Sequence, residues 1–242
     1  MHPVVLVFLY GSLTALATGF GALPFLFVRT VSPRGVAYAN AIASGLMLGA
    51  CFGLLLEGTE SGTWSTIIGA NLGVLFILAT QRILDRYNVQ FGSIGPAGSR
   101  RTLLMIVVMT VHSFSEGVAV GTSFGGGMSL AVLITAAIAV HNIPEGLAIS
   151  AVLRPQGVSV AGCAGWSVFS SLPQPLMAVP AYLLVDTFTA ALPYGIGFAA
   201  GAMVLMVFLE LLPEAYQSAR KPRVALLVSV SLVGMILFQR IL

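Results

Sequence analysis

Apolar residues run along this chain in long blocks, separated by short stretches of glycine, proline and polar residues. A helix needs about 20 mostly apolar residues to cross the hydrocarbon core of a bilayer. The blocks predict eight such helices, over residues 4–28, 36–57, 63–84, 102–123, 129–153, 158–185, 190–214 and 223–241. Within the first, Thr18-Gly19-Phe20-Gly21-Ala22-Leu23-Pro24 predicts close helix contact and a kink. The sixth carries Ser170-Ser171-Leu172-Pro173-Gln174-Pro175, whose two prolines predict a bend or an unwound turn. Residues 85–101 are the longest polar connection, rich in glycine and serine, and predict a flexible loop rather than a domain. Phe124-Gly125-Gly126-Gly127-Met128 is short enough to force an antiparallel hairpin between the fourth and fifth spans.

Composition agrees with a membrane reading. Of the 242 residues, 57% are hydrophobic and 8% charged, against about 25% charged in a soluble domain. Mean hydropathy is +0.99. The fold class expected is therefore an all-α integral membrane protein: an eight-helix bundle forming one transmembrane domain over 1–242. Cys51 and Cys163 both lie in apolar runs and form no Cys-x-x-Cys pair, so they read as small buried side chains.

The formal net charge of +3 and a pI near 9.1 would fit a nucleic-acid binder, but the placement of the charges gives them another meaning. Ten of the eleven Lys and Arg residues fall in odd-numbered connections or at their edges, Arg240 being the exception. The connections 57–62, 124–128 and 186–189 hold none. Positive loops stay on the cytoplasmic side. This orients 85–101 toward the cytoplasm and both termini outward, in a multi-pass protein of the cell (inner or plasma) membrane. Lipid is then the expected surrounding partner, and nucleic acid is not a partner.

The candidate chemistry lies in two stretches, His112-Ser-Phe-Ser-Glu116-Gly and His141-Asn-Ile-Pro-Glu145-Gly. Each puts a histidine and a glutamate four residues apart, hence on one helix face. An ionisable side chain at mid-span costs about 2.5–3.5 kcal/mol on insertion scales and is a functional hypothesis by default. The fourth span runs outward and the fifth inward. Antiparallel packing would set His112 level with Glu145, and Glu116 level with His141. Imidazole and carboxylate together suit a divalent cation, which would also offset the buried charge. Interhelical ion pairs with no metal are the bland alternative, and two matched pairs in register weigh against it. Neither stretch is His-Glu-x-x-His, so a zincin protease is poorly supported.

These two stretches resemble the fourth and fifth spans of the ZIP (Zrt/Irt-like) divalent metal transporters. The resemblance extends to the eight spans, the outward termini and the Glu210-Leu-Leu-Pro-Glu214 ending of the seventh span. It implies a two-metal centre between helices 4 and 5, with His112, Glu116, His141 and Glu145 on the first site. Ser113, Asn142 and Gln174 fall where the second site has its additional ligands, and Glu210 on the path toward the cytoplasm. It also suggests a homodimer. Three positions depart from the family pattern: Ser113 stands where many members have Asn, Gln174 where Glu is common, and Leu209 where others are polar. The loss of a carboxylate at 174 implies a weaker second site, and 85–101 lacks the His-rich loop of many relatives.

The expected function is movement of Zn²⁺, or of Fe²⁺, Mn²⁺ or Cd²⁺, into the cytoplasm, with the metal as substrate and no catalytic cofactor. Glu57 and Glu60 would attract cations outside, and Glu210 and Glu214 would receive them inside. The rival from another class is a membrane-embedded metallo-hydrolase using the same His/Glu cluster on water, which would need a further general base.

Overall fold

The structure, a computed structural model, describes residues 2–28, 32–87 and 98–241. The described residues form nine α-helices and no strand. In chain order they are α1 (Pro3–Gly19), α2 (Pro33–Tyr87), α3 (Gly98–Ser123), α4 (Met128–Leu153), α5 (Val160–Ser170), α6 (Pro173–Thr187), α7 (Leu192–Met206), α8 (Leu212–Ser218) and α9 (Lys221–Ile241). Six helical segments among the described residues are long and apolar enough to cross a membrane.

The sequence places its signals where the chain bends. Beyond α1, residues Phe20–Leu26 tighten into a 3-10 helix containing Pro24, at the kink expected there. The break expected in the sixth block separates α5 from α6 at Ser171–Leu172. Pro173 and Pro175 fall in the first turn of α6, where a missing N–H costs no helical hydrogen bond. Gly127, between α3 and α4, adopts φ 102°, a conformation that favours glycine.

Two connections differ from expectation. Residues 57–62 were expected to link two helices, and the link is shorter than expected: between Pro33 and Tyr87 the helical run is broken at Gly62 alone, which has φ 164° and ψ 97°. The polar residues there do not break the helix, because their hydroxyls bond back to its carbonyls: Thr59 Oγ1 to Leu56 O at 2.8 Å, and Thr63 Oγ1 to Thr59 O at 3.2 Å. The chain reverses at Gly62. Asn40 donates to Glu214 and Gln81 to Glu210, so residues before and after Gly62 reach the same end of the bundle. The loop expected over 85–101 is helical at both margins, α2 running to Tyr87 and α3 starting at Gly98. Residues 88–97 of that loop lie outside the described residues.

The packing is inside-out relative to a soluble protein. On α9, Leu226, Val230, Val233 and Leu237 form an exposed apolar stripe at helical spacing. Buried instead are Asn40, His112, Ser113, Ser115, Glu116, His141, Asn142, Glu145, Ser171 and Gln174. Helices α1, α3, α4, α5 and α6 pack on one another around this polar interior, and α2 covers α7, α8 and α9.

Candidate metal centre

Helices α3 and α4 supply the ionisable groups. Along α3, His112 and Glu116 project four residues apart on one face, with Nε2 and Oε1 separated by 3.6 Å. From α4, Glu145 Oε1 stands 3.5 Å from His112 Nε2, and His141 Nε2 stands 2.7 Å from Glu116 Oε1. Each layer therefore holds one imidazole and one carboxylate from opposite helices. All four side chains are at most 4% exposed.

The distances divide the set. Zinc holds imidazole nitrogen and carboxylate oxygen at about 2.0–2.2 Å, so two ligand atoms on a tetrahedral ion lie about 3.4 Å apart. The two contacts of His112 Nε2 are close to that edge. One atom from each of His112, Glu116 and Glu145 can be chosen so that all lie within 4.8 Å of one another. His112 Nε2 and Glu145 Oε1 are buried and make no hydrogen bond. Such atoms are costly to bury unless something else satisfies them. The His141–Glu116 distance is instead that of a charge-assisted hydrogen bond. An ionised carboxylate only accepts, so His141 Nε2–H donates.

A chain of two amides leads away from Glu116. Gln174, in the first turn of α6, donates Nε2–H to Glu116 Oε2 at 2.6 Å. Asn142 donates Nδ2–H to the Thr14 carbonyl at 3.0 Å and to Gln174 Oε1 at 3.3 Å. Thr14 is a participant the sequence reading missed. The available signal was the pair Thr14 and Thr18, four residues apart inside an apolar block and both buried. Thr18 Oγ1 pairs with Ser171 Oγ at 2.8 Å, tying α1 to the break between α5 and α6.

Ser113 is buried on α3 beside His112. Glu210 is not brought to this cluster. It lies in a π-helical turn, Val207–Leu211, between α7 and α8, where Gln81 Nε2 donates to it at 2.7 Å. Glu57 and Glu60 line a separate cavity of about 200 Å³ with Phe52, Leu56, Gln239 and Arg240.

Comparison with known proteins bears on this arrangement. The family model described as ZIP zinc transporter matches residues 95–242. A protein of Arabidopsis thaliana carrying a provisional zinc-transporter name is 47% identical over 91% of this chain, which spans only 36% of that relative's length. Zinc transporter GufA of Myxococcus xanthus is 30% identical over 85% of the chain and 86% of its own length. Zinc transporter ZIPB of Bordetella bronchiseptica is 32% identical over 85% and 71% respectively. With a family model covering α3 to α9 and relatives matched along most of their length, the chain belongs to the ZIP zinc transporter family.

Proposed function

We propose that this protein carries divalent metal ions, zinc foremost, across the membrane into the cytoplasm. The observation that carries the reading is the buried trio His112, Glu116 and Glu145, whose donor atoms converge with two of them unpartnered. A buried cluster with net negative character in a membrane protein needs a cation to stabilise it, and a transported one fits a family of transporters. His112, Glu116 and Glu145 hold the ion, and His141 orients Glu116. Asn142, Ser113 and Gln174 form the polar wall beside them, and Glu210 takes the ion onward toward the cytoplasm. Iron(II), manganese(II) and cadmium(II) share the N/O preference, and supply selects among them.

The architecture we propose is eight spans in one domain over 1–242. The six apolar segments become eight once α2 is divided at Gly62 and α3 is added. The 51 residues of Pro33–Ile83 would reach about 77 Å as a straight helix, against a hydrocarbon core of about 30 Å, which supports the division. We place the protein in the cell membrane with both termini outside, and as a homodimer by family resemblance. A hydrolase using the same cluster has no observation in its favour, since the relatives are named as transporters.

The test is zinc flux into proteoliposomes loaded with a metal-sensitive dye. Wild-type protein should admit zinc, and Glu145→Ala should reduce entry to the level of empty vesicles. Wild-type vesicles that admit no divalent ion would overturn the transport reading.

A further inference from the structure

The direction of the amide chain around Glu116 is fixed at both ends. Thr14 O is a carbonyl and accepts only, so Asn142 must face it with Nδ2–H. Glu116 Oε2 is a carboxylate oxygen and accepts only, so Gln174 must face it with Nε2–H. That leaves Gln174 Oε1 directed at Asn142 Nδ2, as the 3.3 Å contact records. Gln174 therefore turns a hydrogen, not a lone pair, toward the cluster. Its remaining oxygen is neutral and already accepts a hydrogen bond.

The backbone holds Gln174 in this place from two sides. Gly117, next to Glu116, lies against α6 so closely that a Cβ there would stand 2.6 Å from Gln174 O. On the other side a Cβ on Gly11 of α1 would stand 2.8 Å from Pro175 Cα. Gln174 is itself fully buried. The break at Ser171–Leu172 also starts α6 here, so Gln174 sits in its first turn, at the positive end of its dipole.

We infer that Gln174 is a positioning residue rather than a ligand: with Asn142 it reserves one oxygen of Glu116 for an amide hydrogen, and the centre takes a single divalent ion at a time. An amide N–H 2.6 Å from Glu116 Oε2 takes the place that a second cation would need. Asn142 Oδ1, buried without a hydrogen bond, and the Ser113 hydroxyl are neutral oxygens, and a divalent ion sheds its water only for several donors, normally with a carboxylate among them. The first ion keeps His112, Glu116 Oε1 and Glu145. This inference rests on the reading of that trio as the transport centre.

The experiment counts zinc. Purified wild type, Gln174→Glu, Gln174→Met and Glu145→Ala are equilibrated with Zn²⁺ in detergent, and bound metal is measured by mass spectrometry and titration calorimetry. Wild type should hold one zinc more than Glu145→Ala, which corrects for surface binding. Gln174→Glu replaces the donor by a carboxylate facing Glu116; two buried carboxylates must share either a proton or a cation, and at saturating zinc above neutral pH it should hold two more. Gln174→Met keeps the length without the donor. It should still hold one, with Kd raised about 10–100-fold, as loss of an outer-shell partner does. Two zinc ions in wild type, or unchanged Kd in Gln174→Met, would overturn the inference and leave transport standing. No excess over Glu145→Ala in wild type would overturn the transport centre itself. Should Gln174→Glu fail to fold, the wild-type count and the Met variant decide.

Discussion

Two histidines of the same motif type stand in different chemical situations. His141 Nε2 is engaged with Glu116 at 2.7 Å, whereas His112 Nε2 faces two carboxylate oxygens at 3.5 and 3.6 Å without a hydrogen bond. Removing the first loosens a carboxylate; removing the second removes a donor atom. His112→Ala should therefore weaken zinc binding by more than about 100-fold, and His141→Ala by about tenfold, the lower range for an outer-shell partner. Calorimetric titration of both variants checks the order, and equal losses would place both imidazoles on the ion. The sequence made the shared helix face legible, because a spacing of four fixes it. It could not show which imidazole is hydrogen-bonded, since that depends on sub-ångström approach between helices that are 25 residues apart at His141 and Glu116.

At the scale of elements, the centre is framed by close crossings. Gly146 follows Glu145 on α4, and Thr18 O lies where its Cβ would go. Gly21 meets the backbone of Ile143, Gly146 and Leu147 in return. A methyl at Gly146 must push α1 away from α4, and overpacking of this kind costs about 1–3 kcal/mol. Gly146→Ala should lower the melting temperature in detergent and reduce zinc flux. Gly165→Ala on α5, with open space around its Cβ, should leave both unchanged. A Gly146→Ala protein as stable as wild type would mean that the crossing is slack. The glycines of the first block signalled such a contact. The reversal at Gly62 falls inside the connection expected at 57–62, whereas the π-helical turn around Glu210 was not legible. Polar residues at 57–61 look like a loop, but threonine hydroxyls satisfied by their own helix leave it intact. A π turn inserts a single residue, and within Val207–Leu211 no glycine or proline marks the place.

The whole molecule has two unlike ends. Gly62 approaches Pro193, and Gly125 approaches Val185 and Leu192, so the three connections without Lys or Arg gather at one end, with Glu57, Glu60 and Asp186 nearby in sequence. At the other end Asn40 and Gln81 meet Glu214 and Glu210, close to Arg220, Lys221 and Arg223 in the chain. Basic residues remain on the cytoplasmic side of a membrane. In the orientation we propose, the acidic end would face outward, where it would concentrate cations, with the His/Glu trio between the two ends. This orientation is checked with single cysteines, since native Cys51 and Cys163 are buried. Ser129 and Gln217 are both exposed, at opposite ends. In intact cells an impermeant maleimide should label Ser129→Cys at once. It should label Gln217→Cys only after permeabilisation. The reverse pattern would invert the molecule, and the same downhill zinc gradient would then be read as export rather than uptake.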